Sequence, residues 1–186
     1  MDSQLRGEVH RVYGFSFTEA LALTMQFEGG WSNHSSDRGG RTKFGVTHVT
    51  LGEYNRRRGL LAYKPLVLVD LTPRQAADVY YLLYWLQYRI DTLPQAVQGL
   101  MFDWSVHSGG FAVRSMQRHF KLKPDGIVGP NTRAAVEGAI RRLGWGEVQR
   151  ALAIRRMKHL CRLVRRDRSQ GDFIVGWFDR VSNWLE

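Results

Sequence analysis

The sequence is poor in cysteine and has no long apolar run. One thiol, Cys161, cannot form an internal disulfide, and its apolar neighbours Leu160 and Leu163 predict a buried core residue rather than a nucleophile. A helix that crosses a membrane needs about 20 apolar residues, and none is predicted here. Residues 1–14 carry charges where a signal peptide has its apolar core, so the chain is expected to be cytoplasmic when it is made.

Sequence motifs for metal and nucleotide chemistry are also missing. The six histidines form neither an HExxH motif nor a close set with Cys or Asp, and no phosphate-binding glycine loop is present. Cys161 has no papain-like surroundings. We therefore expect no metal, no cofactor and no cysteine peptidase.

Basic residues far outnumber acidic residues in the C-terminal part. The chain of 186 residues has a net charge of +10, and its hydrophobic content of 44% is that of one folded domain or one with a small appendage. Residues 1–110 contain eleven Lys or Arg against ten acids, whereas residues 111–186 contain sixteen against seven. The positive charge is therefore local.

Most of this charge falls between Arg141 and Arg168. The basic residues of this segment are Arg141, Arg142, Arg150, Arg155, Arg156, Lys158, Arg162, Arg165, Arg166 and Arg168. Apolar residues recur there at helical spacing, namely Val148, Ala151, Leu152, Met157, Leu160, Cys161 and Val164. The pattern predicts an amphipathic helix with a basic face that is either simply solvated or binds an anionic envelope or outer-membrane surface. Nucleic acid is disfavoured because no reader motif accompanies the charge.

Helix signals dominate the rest of the chain. Start signals at Ser16, Thr50 and Thr72 predict three helices, the first reaching Gly29 and the third reaching Tyr88. Further helices are predicted at about 93–107, 110–120, 130–142, 145–168 and 172–185. The only convincing non-helical patch is at about residues 32–47, and its glycine-rich turn predicts a small hairpin. The fold class is therefore mainly α with one small β-hairpin.

Two acids flank this predicted hairpin. Glu28 ends an apolar helical run beside Trp31, surroundings that raise the pKa of a carboxyl group and favour a general acid. Asp37, nine residues later in a polar loop, is expected to stay ionised. Such a pair is what glycoside cleavage requires. Glu-Gly-Gly is also an ordinary helix end and Asp-x-Gly-Gly an ordinary turn, so local chemistry alone leaves both interpretations open.

A longer series of motifs is more specific. Glu28-Gly29-Gly30, Asn33, Asp37, Gly39-Gly40, Thr42 and Gly45-Val46-Thr47 resemble the N-terminal signature of glycoside hydrolase family 108, the muramidases of phage and prophage lysis cassettes. Residues 102–110, 116–118 and 125–132 are similar to the peptidoglycan-binding region usually attached to this family. The family more often has Asn where His107 stands.

This resemblance implies a lysozyme-like endolysin that cleaves the β-1,4 bond between N-acetylmuramic acid and N-acetylglucosamine. Glu28 would be the acid, Asp37 would stabilise charge or orient a water molecule, and a threonine would hold that water, Thr47 first and Thr42 second. Residues 1–100 would form the catalytic region and residues 101–186 a peptidoglycan-binding region packed into the same compact unit. Release through a holin-type pore, host lysis and a monomeric state are expected.

Aromatic residues supply candidates for the substrate cleft, because sugar rings stack on exposed aromatic faces. The candidates are Phe44, Tyr84 and Trp85, with His107 added by the resemblance; core packing is the alternative role for the aromatic residues of the third helix. Three other functions remain open from the sequence: a non-catalytic wall-binding protein, a chitinase-like glycosidase and a basic nucleic-acid-binding protein.

Overall fold

Nine α-helices and three short strands make up most of the described chain. The structure is a computed structural model that describes residues 1–27, 31–32, 42–59 and 64–185. The helices are α1 (Ser3–Tyr13), α2 (Phe15–Phe27), α3 (His48–Arg57), α4 (Pro73–Tyr80), α5 (Gln95–Ser108), α6 (Phe111–His119), α7 (Pro130–Leu143), α8 (Trp145–Arg166) and α9 (Ile174–Ser182). The strands are β1 (Trp31–Ser32), β2 (Thr42–Lys43) and β3 (Val46–Thr47). The predicted mainly α class with one small β element is confirmed.

Side-chain caps mark the starts of three helices, α1, α3 and α4. Thr72 accepts a hydrogen bond from Gln75 N–H, and the Gln75 side chain accepts one from Thr72 N–H, which is the predicted capping box of α4. The start predicted at Thr50 is wrong, because Thr47 caps α3 and Thr50 lies inside that helix. Ser16 likewise lies inside α2, which begins at Phe15.

Two further features differ from the sequence-based expectation. Helix α1 was not predicted; Asp2 caps it by accepting from Leu5 N–H at 2.8 Å, and only Leu5 and Val9 are buried on it. The third predicted helix remains α-helical only to Tyr80 and continues as a π-helix over Tyr81–Leu86. The other predicted helices are present, with ends within three residues of the expected positions.

The chain divides into two compact units, Met1–Gln87 and Tyr88–Glu186. In the N-terminal unit, the buried core includes an aromatic cluster in which the Phe17 ring lies 5.0 Å from Tyr81 and 5.4 Å from Trp85, measured between centroids. Tyr13 completes it, 5.4 Å from Phe17. This cluster joins α1 and α2 to the π-helix.

The core of the C-terminal unit is formed by α5, α6 and α8, and it contains charged side chains as well as apolar ones. Trp104, Met116 and Leu152 are fully buried, and so is the ion pair between Asp103 and Arg156. No described helix has the length and apolar character needed to cross a bilayer.

Helix α8 corrects two predictions for the basic segment. Arg156 is fully buried, because it lies four residues from Leu152 and from Leu160 and so shares their inward face. Cys161 is exposed rather than buried, since it lies one position beyond that face. Eight of the ten cations are exposed, whereas Arg155 is half-buried and donates from Nε to Ser115 Oγ at 2.9 Å.

Candidate active site

The β2–β3 hairpin carries three of the candidate residues. Its two-residue turn consists of Phe44 and Gly45, whose φ angles are 54° and 73°. A two-residue hairpin turn with positive φ at both positions matches the twist of the strands it joins. Glycine adopts this conformation freely, whereas Phe44 does so at a steric cost, so neighbouring contacts must hold the turn in place.

Two hydrogen bonds anchor this turn within the N-terminal unit. Tyr80, which is buried at the end of α4, donates from its hydroxyl group to the Phe44 carbonyl oxygen at 2.9 Å. Lys43 donates from Nζ to the carbonyl oxygen of Val69 at 2.5 Å. The strained hairpin is therefore held from two sides, and no sequence pattern predicts this role for Tyr80.

Thr42 and Thr47 face each other across the hairpin. They are directly paired in the antiparallel register, so their side chains lie on the same face. Thr42 is 8% exposed. The Thr47 hydroxyl oxygen accepts from Thr50 N–H at 3.1 Å and lies 3.0 Å from Thr50 Oγ1. Thr47 therefore caps α3, and when its own hydroxyl proton points to Thr50 Oγ1 it keeps one lone pair for another donor.

The two candidate acids lie outside the described residues. In sequence, Glu28 directly follows Phe27, the last residue of α2, and Asp37 belongs to the segment between β1 and β2. Their catalytic assignments stay predictions, as do those of the two threonines.

The structure separates the aromatic candidates by exposure. Trp85 is 4% exposed and packs on Phe17, so it belongs to the core of the N-terminal unit. Tyr84 is half-buried, with its ring centroid 5.9 Å from that of Tyr80. Phe44 is half-buried at the hairpin turn. Of the three, Phe44 and Tyr84 retain exposed surface. A glycan contact stays a prediction for each of them.

A carboxyl group that the sequence did not single out is perturbed nearby. Burial raises the pKa of Asp78 to about 6. Tyr13 donates its hydroxyl proton to Asp78 Oδ1, and Arg74 Nε lies 3.3 Å from the same oxygen. An aspartate within a helix gives no sequence signal of this kind.

His107 lies in the C-terminal unit near a buried ion cluster. Arg156 Nη1 donates to Asp103 Oδ2 at 2.6 Å, and Arg180 Nε donates to Asp103 Oδ1 at 2.8 Å. Burial, together with the charges of Arg156 and Arg180, lowers the pKa of His107 to about 3, so the ring is neutral at physiological pH. Its ring packs 5.0 Å from that of Trp177, and Nδ1 has no hydrogen-bond partner among the residues that the structure describes. A substrate contact for His107 stays a prediction.

The remaining downstream motifs have structural roles in this unit. The buried Gln117 side chain donates to Asp125 Oδ1 at 2.6 Å and to Ile127 O at 3.0 Å, and it accepts from Gly126 N–H at 2.9 Å. Gly126 has a φ of 90°, which favours glycine. The motif around residues 125–127 is therefore a turn closed by one glutamine.

No group of three or more potential metal ligands occurs among the residues that the structure describes. The expected absence of a metal and of a cofactor stays a prediction. What the described site offers is a rigid pair of threonines next to the sequence positions of two carboxylates.

Comparison with known proteins gives two family matches and a similar solved structure. Residues 21–109 match the family described as Glycosyl hydrolase 108, and residues 111–182 match the one described as Predicted Peptidoglycan domain. Among solved structures, SagA from Brucella abortus is similar, with a TM-score of 0.73, 28% sequence identity and 91% of each chain covered. No curated protein matches the chain significantly.

The fold and these matches define a glycoside hydrolase of mainly α, lysozyme-like architecture that acts on the bacterial cell wall. Residues 21–109 therefore form a region of the glycosyl hydrolase 108 family, and residues 111–182 form a peptidoglycan-binding region that follows it. The two matches meet at residues 109–111 and the compact units at 87–88, so the domain boundary predicted after residue 100 falls between them and stays a prediction.

Proposed function

We propose that this hydrolase cleaves the β-1,4 bond between N-acetylmuramic acid and N-acetylglucosamine. Glu28 donates a proton to the glycosidic oxygen as positive charge develops on the sugar ring. Asp37, ionised, stabilises that charge or orients the attacking water. The observation that carries the proposal is the anchored hairpin, which holds Thr42 and Thr47 opposite each other directly after the two acids in the sequence.

A threonine hydroxyl group completes the proposed chemistry. Thr47 uses one lone pair for Thr50 N–H and points its own hydroxyl proton to Thr50 Oγ1, so that its second lone pair accepts a hydrogen bond from the water and orients it. Thr42, across the pair, is the other candidate. Tyr80 keeps both threonines in position through its hydrogen bond to the turn. Because the turn is strained at Phe44, loss of this bond is expected to let the hairpin relax.

The biological setting follows from the same proposal. A wall hydrolase made in the cytoplasm needs a route to its substrate, and release through a holin-type membrane pore at host lysis supplies one. The exposed cations of α8 concentrate the enzyme at the anionic envelope. The protein acts as a monomer and does not select nucleic acid.

Mass spectrometry of digested peptidoglycan tests the bond. Products that end in reducing N-acetylmuramic acid are expected. Reducing N-acetylglucosamine would overturn the bond assignment, and released peptides would mean an amidase or peptidase. Cleavage of chitin oligomers at the same rate would favour a chitinase-like enzyme. Wall binding without any product would leave a non-catalytic binding protein.

A further inference from the structure

A pocket in the C-terminal unit opens where α6 ends, beside the last turn of α7 and the first turns of α8. Its volume is about 320 Å³, within the range of small-ligand sites. Phe120, Leu143 and Val148 give it an apolar lining, extended by the small side chains of Ala139 and Ala151. The lining therefore suits short aliphatic groups better than a bulky ring.

The charged residues of the pocket are unequally paired. Glu147 forms an ion pair with Arg150. Lys121 and Arg142 are exposed, and neither forms a side-chain hydrogen bond or ion pair with any residue in the described part of the chain. Burial and the charge of Arg155 lower the pKa of His119, so its ring is neutral at physiological pH. The pocket thus combines an apolar lining with two uncompensated cations at its rim.

We propose that this pocket binds the peptide stem of peptidoglycan. The stem carboxylates pair with Lys121 and Arg142, and the methyl groups of its alanines pack on Leu143 and Val148. This inference rests on the proposed function, because it takes peptidoglycan as the substrate. It adds that the C-terminal unit recognises the peptide stem of that polymer.

Complementarity favours the stem over other envelope ligands. A stemless glycan strand offers amides, hydroxyl groups and a single lactyl carboxylate on each muramic acid, which is one carboxylate short of the two cations. A phosphate polymer would satisfy the cations but leave the apolar lining unmatched. The stem carries both kinds of group within a few bonds of each other, which is what the arrangement of the lining requires.

The test is an NMR titration of the isotope-labelled full chain with a synthetic stem tripeptide of alanine, D-glutamate and a diamino acid. Exposed ion pairs contribute modestly, so Lys121→Gln with Arg142→Gln is expected to weaken binding about fivefold. The matched control, Lys123→Gln with Arg141→Gln, removes the same charge from exposed neighbours outside the lining. It should bind the tripeptide as the wild type does.

A second variant tests the pocket without altering charge. Ala151→Leu places three extra carbons in the cavity and should abolish the shifts of lining residues, while an unchanged spectrum elsewhere shows that the unit is folded. Equal weakening by the control pair would overturn the proposal in favour of general attraction. So would equal binding of inorganic phosphate or of a stemless disaccharide, or full binding by Ala151→Leu.

The tripeptide contains no glycosidic bond, so the titration is independent of catalysis. Failure of the proposed function would appear as absent muramic acid ends in the digestion, with the titration unaffected. Failure of the pocket proposal would appear as unchanged binding in both pocket variants, with cleavage retained.

Discussion

Asp78 and Asp103 are half-buried and fully buried aspartates, one in each compact unit, and their pKa values move in opposite directions. Asp78 meets a tyrosine hydroxyl and one arginine, and burial raises its pKa to about 6. Burial also acts to raise the pKa of Asp103, but the charges and hydrogen bonds of Arg156 and Arg180 hold it below its ordinary value. The number of cations within reach decides which effect wins.

The comparison distinguishes what each unit does with charge. In the N-terminal unit, burial without a sufficient counter-charge raises the pKa of Asp78 towards neutrality. The C-terminal unit keeps its buried aspartate ionised by surrounding it with cations, and it carries most of the positive surface. Under the proposed function, proton transfer belongs to the first unit, whose sequence includes Glu28, and attraction of anionic polymers to the second, which carries the exposed cations of α8.

The largest effect is expected from Asp103→Asn. The change leaves Arg156 and Arg180 buried without their counter-charge, which typically costs about 3–5 kcal/mol of unfolding free energy. Urea unfolding, with amide hydrogen exchange in α5 and α8, measures it. Asp78→Asn is the matched control and should change stability by less than about 1 kcal/mol, because a neutral side chain suits that site. Equal losses in both variants would remove the contrast between the two aspartates.

Glu28→Gln tests the assignment of proton transfer to the first unit. The amide keeps the shape but has no transferable proton, so turnover of purified walls should fall at least about 100-fold, or roughly 2.7 kcal/mol in the activation barrier. Sedimentation with insoluble walls should show unchanged binding. Turnover above about a tenth of the wild-type rate would reject Glu28 as the acid.

The two units should also respond to pH with opposite signs. His107 has a lowered pKa of about 3, so its contribution to stability is complete above the unfolded value near 6.5 and is lost as the pH falls towards 3. Asp78 has a raised pKa, so its contribution is complete below the unfolded value near 3.8 and is lost as the pH rises through about 6.

The wild-type protein should lose free energy of unfolding as the pH falls from 6.5 to 4. His107→Asn should remove the part of this loss that is due to His107, on the order of 2 kcal/mol. Asp78→Asn should remove a loss of stability between pH 4 and pH 6 instead. Thermal melts across this range separate the two. Parallel curves for His107→Asn and the wild type would mean that His107 is accessible to solvent and titrates normally.

The sequence predicts those parts of the fold that short-range chemistry decides. The capping box at Thr72 depends on residues three apart and was located correctly. Thr47 and Thr50 are both suitable N-cap residues for α3. The hairpin register, which the sequence does not show, ends β3 at Thr47, so Thr47 is the residue that caps the helix. The π-helix after Tyr80 has no local signature either.

Contacts between distant residues explain the other differences. Arg156 looked like part of a basic face, yet its partner Asp103 lies 53 residues away, so only the tertiary structure reveals why an arginine points inward. Tyr80 reaches a carbonyl group 36 residues away in the same manner. The candidate threonines and the turn were predicted from motifs, whereas the groups that hold them in place were not.

A smaller effect is expected from Thr47→Ala. Loss of the cap on α3 should cost about 1 kcal/mol of unfolding free energy. Thr72→Ala is the matched control, since it removes an equivalent cap from α4. If Thr47 also holds the water, only Thr47→Ala should lower kcat on soluble muropeptides, with KM unchanged. Equal kcat in the two variants would make Thr47 structural and leave Thr42 as the water-holding candidate.

The smallest effect is expected at the basic surface of α8. Because Arg156 is buried, the residues to replace are the exposed Arg162, Arg165 and Arg166. Their change to Gln should weaken binding to intact walls by less than about 1 kcal/mol per charge and should flatten its dependence on salt. Gln preserves helix propensity, and cleavage of a soluble muropeptide should remain at the wild-type rate. Wall binding that is unchanged at low salt would mean that this surface is only a solvated helix face. The two units would then differ in how they treat a buried aspartate, but not in attraction to anionic polymers.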